Sequence, residues 1–316
     1  SLATGAITDD SSAGNGAISF LHTIDGAQNL TLSSGGGAIN VAQGIGLTNA
    51  LSALTINSAG SGTIEIFDIG DNSVGVTGAT AIGNTSTTTL TLDGTVYKTT
   101  GAQVYTATGG DNIDITNTSN AAFTTTNTAI TFGTANIELA DGVDLTLDSG
   151  AGAGAITLVA IDGHSSEAVT IDAGTGTTSV GAIGAGTEIG AVTIGSDENG
   201  TITLNGAITT TGAVSLDGPV SLATGAITVD SSAGDAAINF LHTIDGAQNL
   251  TLSSGGGAVD INGIIGSTTA IGTLTVNASG TGAIAIEQIG DGDPASGSLG
   301  ATIGNTGTTS VTFDGT

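Results

Sequence analysis

The sequence has no cysteine, no methionine, no tryptophan and no arginine, and its one lysine is Lys98. Without cysteine there is neither a disulfide framework nor a thiolate that could act as a metal ligand or nucleophile. Twenty-eight carboxylates against that lysine give 316 residues a formal charge of −27. Nucleic acid and anionic membrane surfaces are therefore excluded as electrostatic partners. No apolar run approaches the roughly 18 residues that a membrane-spanning helix requires.

Small and β-branched residues dominate what is present. Glycine occurs 54 times, and 38% of residues are hydrophobic while only 9% are charged. High glycine, threonine and serine with little glutamate or lysine disfavours helix. The abundance of isoleucine, valine and threonine is equally unlike a disordered chain. The composition predicts short strands joined by tight turns.

A long internal repeat organises the chain. Residues 1–46 return as residues 221–266 with 36 of 46 positions identical, and weaker similarity continues to the last residues. The period is 220 residues. The sequence thus predicts that residues 1–220 are a first copy and 221–316 the start of a second, within one continuous solenoid cut from a longer tandem array.

A shorter motif recurs inside the long repeat: an apolar residue, threonine or serine, a second apolar residue, then aspartate or asparagine. It occurs nine times, at residues 54–57, 90–93, 145–148, 169–172, 202–205, 214–217, 227–230, 274–277 and 311–314. Period-two alternation puts both apolar side chains on one face, and the Asx residue favours a turn. Such strands are too short to be stable alone, so stacking must bury them.

The motif spacing predicts an all-β chain, a parallel β-solenoid of stacked coils. Strand centres at residues 228, 251, 275 and 302 give steps of 23, 24 and 27, hence about two major strands and 23–27 residues per coil. A β-sandwich array is the main competing fold.

Several runs resemble the repetitive regions of filamentous-haemagglutinin-like bacterial surface proteins. They are the runs at 23–32 (TIDGAQNLTL), 99–105 (TTGAQVY) and 206–209 (GAIT). The resemblance lies in repeat style and covers most of the chain. It implies a right-handed parallel β-helix, secretion to the cell surface, an elongated rod and a role in adhesion or surface structure.

Acidic residues in glycine- and asparagine-rich turns are candidate calcium ligands, because calcium takes about six to eight oxygen ligands of this kind. The candidates are Asp68, Asp71, Asp111, Asp114, Asp141, Asp144, Asp197, Glu198, Asp291 and Asp293. Neither the nonapeptide repeat of calcium-binding β-rolls nor an EF-hand loop is present. The alternative is that dispersed carboxylates only keep a repetitive rod soluble.

Two further features break the pattern. His22 and His242 occupy the same place in both copies, each three residues before an aspartate, and duplication alone explains them as structural or exposed loop residues. Asp9 stands where the second copy has Val229, so an unchanged register would point its carboxylate inward.

The leading functional hypothesis is a structural segment of an extracellular filament or long surface adhesin. Its expected partners are copies of itself, and carbohydrate or cell surfaces. The alternative is a carbohydrate- or surface-binding β-helix module. We do not expect an enzyme, because polysaccharide lyases of this architecture use basic residues and Lys98 is the only candidate. An ice-binding array is not expected either, because Thr-x-Thr arrays are not maintained at one place in successive coils.

Overall fold

The computed structural model describes residues 1–2, 4–56, 61–164, 166–195, 200–276, 282–291 and 297–315. These residues form β-strands, two single-turn 3-10 helices and turns, with no α-helix among them. The strands run parallel and stack into a β-solenoid of about 12 turns, with roughly 24 residues per coil. The predicted all-β parallel solenoid is confirmed, and so is the predicted coil length.

The chain divides into two compact units, Ser1–Val159 and Ala160–Thr316. The strands of the first unit are β1 (Ile7–Asp10), β2 (Ile18–Phe20), β3 (Asn29–Ser33), β4 (Ile39–Val41), β5 (Ala53–Ile56), β6 (Ile64–Ile66), β7 (Thr80–Gly83), β8 (Leu90–Leu92), β9 (Val96–Lys98), β10 (Gln103–Ile115), β11 (Ala121–Thr124), β12 (Ile130–Leu139) and β13 (Leu145–Asp148). The 3-10 helix η1 covers Ser12–Gly14, and β14 (Ile156–Asp162) contains the boundary between the units.

The second unit repeats this organisation. Its strands are β15 (Val169–Asp172), β16 (Thr178–Ile183), β17 (Val192–Ile194), β18 (Ile202–Leu204), β19 (Ile208–Thr209), β20 (Val214–Leu216), β21 (Val220–Leu222), β22 (Ile227–Asp230), β23 (Ile238–Phe240), β24 (Ile244–Asp245), β25 (Leu250–Ser253), β26 (Val259–Ile265), β27 (Ile271–Val276), β28 (Ile284–Ile289), β29 (Ser298–Ile303) and β30 (Val311–Phe313). The 3-10 helix η2 covers Ser232–Gly234, at the position of η1 in the first copy.

Consecutive coils of the first unit pair along three ladders. One ladder runs through β1, β3, β5, β7 and the start of β10. The next runs through β2, β4, β6, β8 and the end of β10. The third begins as single bridges that join Ile24, Ile45, Ile69 and Tyr97 in turn. The inward residues of all three ladders supply the core of this unit.

The second unit keeps the predicted register. Thr228 pairs with Thr251, Thr251 with Thr275, and Thr275 with Thr302, in the ladder of β22, β25, β27 and β29. These pairs reproduce the predicted steps of 23, 24 and 27 residues. A second ladder runs through β17, β20, β23, β26, β28 and β30.

The four-residue motif forms strand wherever it occurs, because alternation sends its apolar side chains into the core. All nine copies overlap a strand. In β13 both Leu145 and Leu147 are buried, while Thr146 between them is half-buried. The exception in burial is β30, where Val311 and Phe313 are 43% and 56% exposed. Among the described residues β30 pairs with β28 alone.

Four aromatic rings pack together in the core of the first unit. Tyr97 stacks on Phe123 with ring centroids 4.4 Å apart, and Tyr105 stacks on Phe132 at 4.9 Å. The Tyr105 hydroxyl donates to Oε1 of the fully buried Gln103 at 3.0 Å, and Gln103 Nε2 donates to the Tyr97 carbonyl at 2.8 Å. Burial raises the pKa of both tyrosines well above the ordinary value, so the rings stay neutral.

Glycine is required where coils approach most closely at a corner. Gly46 and Gly266 hold the same place in the two copies, and each has a φ of +68°. A Cβ on Gly46 would meet the carbonyl of Gly75, and one on Gly266 would meet the carbonyl of Gly297. Both the backbone conformation and the space exclude a side chain here.

Asp9 keeps the register of its counterpart but not its burial. Asp9 pairs with Leu32 as Val229 pairs with Leu252. Val229 is fully buried, with Ile208 paired on its other side. Asp9 is exposed, so its carboxylate does not meet the desolvation that an inward position predicts.

Candidate functional site

The predicted calcium ligands Asp68 and Asp71 both accept hydrogen bonds from backbone amides of turns. Asp68 is half-buried, and its Oδ1 accepts hydrogen bonds from the backbone amides of Thr95 at 2.7 Å and Val96 at 2.9 Å. Asp71 is exposed, and its Oδ1 accepts from the amide of Ser73 at 3.0 Å. These oxygens tie turns together, Asp68 between neighbouring coils and Asp71 within its own turn.

Asp111 and Asp114 are a candidate pair in which the charge of one residue affects the pKa of the other. Partial burial, followed by the nearby charge of Asp111, raises the pKa of Asp114. Asp114 is also in register with Glu138 on the next coil, while Asp111 accepts a hydrogen bond from Asn136 Nδ2 at 2.7 Å. Sequence reasoning missed Glu138, because only the register places it beside Asp114.

The other candidates are dispersed. Asp141 is exposed, and Asp144 is half-buried with its carbonyl accepting from the Ala121 amide at 2.8 Å. Asp291 is exposed, and Asp197, Glu198 and Asp293 lie outside the described residues. Within the described ranges, no three acidic or histidine side chains are placed to hold one metal ion.

The two histidines differ between copies. His22 is exposed, whereas Nε2 of His242 lies 3.2 Å from Oδ1 of Asp217 on the preceding coil. The aspartates three residues later do not pair with either histidine. Instead Asp25 Oδ1 accepts the amides at residues 48 and 49, and Asp245 Oδ1 those at 268 and 269.

Asp245 illustrates how such a turn carboxylate is held. Partial burial opposes its charge, but hydrogen bonds from Thr269, Thr268 and Ser267 outweigh that and lower its pKa below the ordinary value. The stabilisation from these bonds is present above the ordinary pKa and is lost as pH falls through the lowered one. The role of Asp245 is structural, since its four hydrogen bonds, two from Thr268 and one each from Thr269 and Ser267, all close the turn of the next coil.

A row of single threonines runs along the second unit. The threonine row consists of Thr228, Thr251, Thr275 and Thr302, one outward hydroxyl per coil in unbroken register. The first three are half-buried and Thr302 is exposed. Neighbours in such a row lie about 4.8 Å apart. The positions two residues earlier are not constant, being Ala226, Asn249, Thr273 and Gly300.

A polar row follows another ladder of the same unit. It consists of Thr170, Thr193, Ser215, Asn239, Asp260, Ala285 and Thr312. All seven side chains are exposed or half-buried, and none is a large aliphatic residue. Drift in the repeat therefore exchanges small residues on this face, polar at every position except Ala285.

The first unit carries an acidic row. Its members are Ser19, Asn40, Glu65, Thr91, Asp114 and Glu138, in register on successive coils. Asn40 Nδ2 donates to Glu65 Oε2 at 2.7 Å. Thr91 separates Glu65 from Asp114, which limits the repulsion between these two carboxylates, whereas Asp114 and Glu138 are direct neighbours.

The described residues enclose no cavity or cleft for a small molecule. Lys98, the sole lysine, donates to the carbonyl of Asn72 at 3.3 Å. None of the described residues belongs to a helix long and apolar enough to cross a membrane. No protein-family model, curated protein or solved structure matches the chain.

Proposed function

We propose that this chain is a structural segment of an extracellular filament or long surface adhesin. The observation that carries the proposal is the unbroken register of outward rows, which aligns one small, mostly polar side chain of each coil with those of its neighbours over many coils. In the polar row of the second unit this register extends from Thr170 to Thr312. A surface of that kind repeats one weak contact many times, and multivalency converts weak contacts into firm attachment.

Backbone ladders supply the mechanical part of this function. Each coil hydrogen-bonds to the coils before and after it, and its apolar side chains are buried between them. The bonds lie along the stacking direction, so tension along a rod would load many of them together. The partners that suit such a segment are further copies of itself and the surfaces to which a filament attaches.

The proposal is tested on cells that make the protein. Antibodies against the chain should decorate extracellular filaments, and electron cryo-microscopy should show β-strand spacing of about 4.8 Å along the filament axis. Protein confined to the cell interior, or present only as separate compact particles, would contradict it.

A carbohydrate- or surface-binding module is the second candidate, and the threonine row favours it. Regularly spaced hydroxyl and methyl groups can match an ordered polymer surface. We expect the full chain to sediment with insoluble polysaccharide, and Thr251→Glu with Thr275→Glu to abolish this. The matched control is Thr193→Glu with Ser215→Glu in the polar row, which should bind normally. Equal binding by both double variants would exclude the threonine row as the contact surface.

A further inference from the structure

The two copies of the repeat differ in what covers their first coil. In the second copy, β22 and β23 are paired on one edge with β19 and β20. Hydrogen bonds cross that edge, including the Val214 amide to the Ala237 carbonyl at 2.9 Å and the Leu241 amide to the Leu216 carbonyl at 3.0 Å. In the first copy, β1 and β2 pair with β3 and β4 on the other edge, and no described strand lies on this one.

The side chains at this edge differ between the two copies in how exposed they are. Phe240 is fully buried and Leu241 is 37% exposed, whereas Phe20 is half-buried and Leu21 is 68% exposed. Yet the sequence from Ser1 to Gly46 is 36 of 46 identical to its second copy. The edge of the first coil therefore carries the backbone groups and most of the apolar side chains that β19 and β20 cover in the second copy.

We propose that the edge formed by β1 and β2 is a docking surface for a coil with the sequence of residues 200–220, as a further copy of the repeat would supply. The occupant is identified by the molecule itself, because that coil already covers the matching edge of the second copy. The proposal deepens the proposed function, since it rests on a filament built from successive copies.

Asp9 makes this joint weaker than the one inside the chain. A coil docked in this register would place an Ile208 equivalent beside Asp9, where Ile208 now pairs with Val229. Ile7, Ile18 and Phe20 are identical to their counterparts, so Asp9 is the one residue of β1 and β2 that differs from a counterpart pointing into the core. An inward charge is also a known way to discourage edge pairing.

The test adds residues 200–220 directly before Ser1, which reproduces the natural connection to Ser221. Hydrogen exchange of the Leu21 amide reports docking, because the equivalent Leu241 amide bonds to Leu216. The matched control extension carries serine in place of Ile208, Val214 and Leu216. We expect the Leu21 amide to exchange several-fold more slowly with the native extension than with the control.

Each result tests a different part of the proposal. Equal exchange with the native and control extensions overturns the docking surface. Slower exchange that does not slow further when Asp9→Val is added overturns the role of Asp9. Neither result bears on whether filaments are seen on cells. This experiment can therefore fail, and the proposed way of joining successive copies be rejected, while the proposed filament function still holds.

Discussion

At the scale of single residues, the turns require a side-chain oxygen that accepts a hydrogen bond. They do not require a negative charge. Asn15 Oδ1 accepts the amide of Gly36 at 2.7 Å, and in the second copy Asp235 Oδ1 accepts the amide of Gly256 at 2.6 Å. Both residues adopt a left-handed conformation with a φ of 51°. Asparagine and aspartate are interchangeable in this role, so the net charge can drift without changing the turn.

The corner glycines are less exchangeable. We expect Gly46→Ala to lower the free energy of unfolding by about 3 kcal/mol, because a positive φ and a collision with the Gly75 backbone both oppose a Cβ. Gly142→Ala is the control, since Gly142 also has a positive φ but has open space around its Cβ position. It should cost only about 1 kcal/mol. Equal losses in denaturant unfolding would show that close approach between coils does not decide the residue.

At the scale of strands, period-two alternation carried most of what could be predicted. It located the nine motif strands and the inward side chains, because a strand buried on one face must alternate. The repeat itself then supplied the coil length. The third ladder of the first unit was not predicted, since it begins as single bridges at Ile24, Ile45 and Ile69. A single apolar residue between two turns shows no alternation that could identify it as part of a strand.

The candidate sites were harder to predict because they depend on register between coils of unequal length. The alignment of Thr228, Thr251 and Thr275 follows from the predicted steps of 23 and 24 residues, but these strand centres were not identified as one outward row of threonines. The pairing of Asp114 with Glu138 was not predicted, because only the register brings the two residues together. The glycine- and asparagine-rich turns that nominated Asp68 and Asp71 gave no information on the amides that each one binds.

Gln103 is the clearest case of a core residue that alternation alone would not select. Replacing it with leucine should lower the free energy of unfolding by about 2 kcal/mol or more, because the Tyr105 hydroxyl and the Tyr97 carbonyl lose their bonds to its side chain. Gln43→Leu at an exposed site is the control and should change stability by less than about 0.5 kcal/mol. Denaturant unfolding followed by tyrosine near-ultraviolet circular dichroism measures both. A neutral Gln103→Leu would mean that the aromatic cluster does not need the buried amide.

At the scale of the whole molecule, a charge of −27 opposes the close association that a filament requires. If the carboxylates are dispersed and bond only to backbone amides, a diffuse atmosphere of counterions is enough to screen their mutual repulsion. A specific calcium site would need several oxygens to converge. The strongest place for convergence is around Asp111, Asp114 and Glu138, where two carboxylates are in register and a third shifts the pKa of Asp114.

These alternatives are separated by comparing salts at equal ionic strength. We expect self-association of the full chain to increase with ionic strength and to be the same in calcium chloride and sodium chloride, because screening alone depends on ionic strength. Analytical ultracentrifugation measures the association. Stronger association in calcium, lost in Asp114→Asn but retained in Asp141→Asn, would contradict simple screening and would place a calcium site at the acidic row of the first unit.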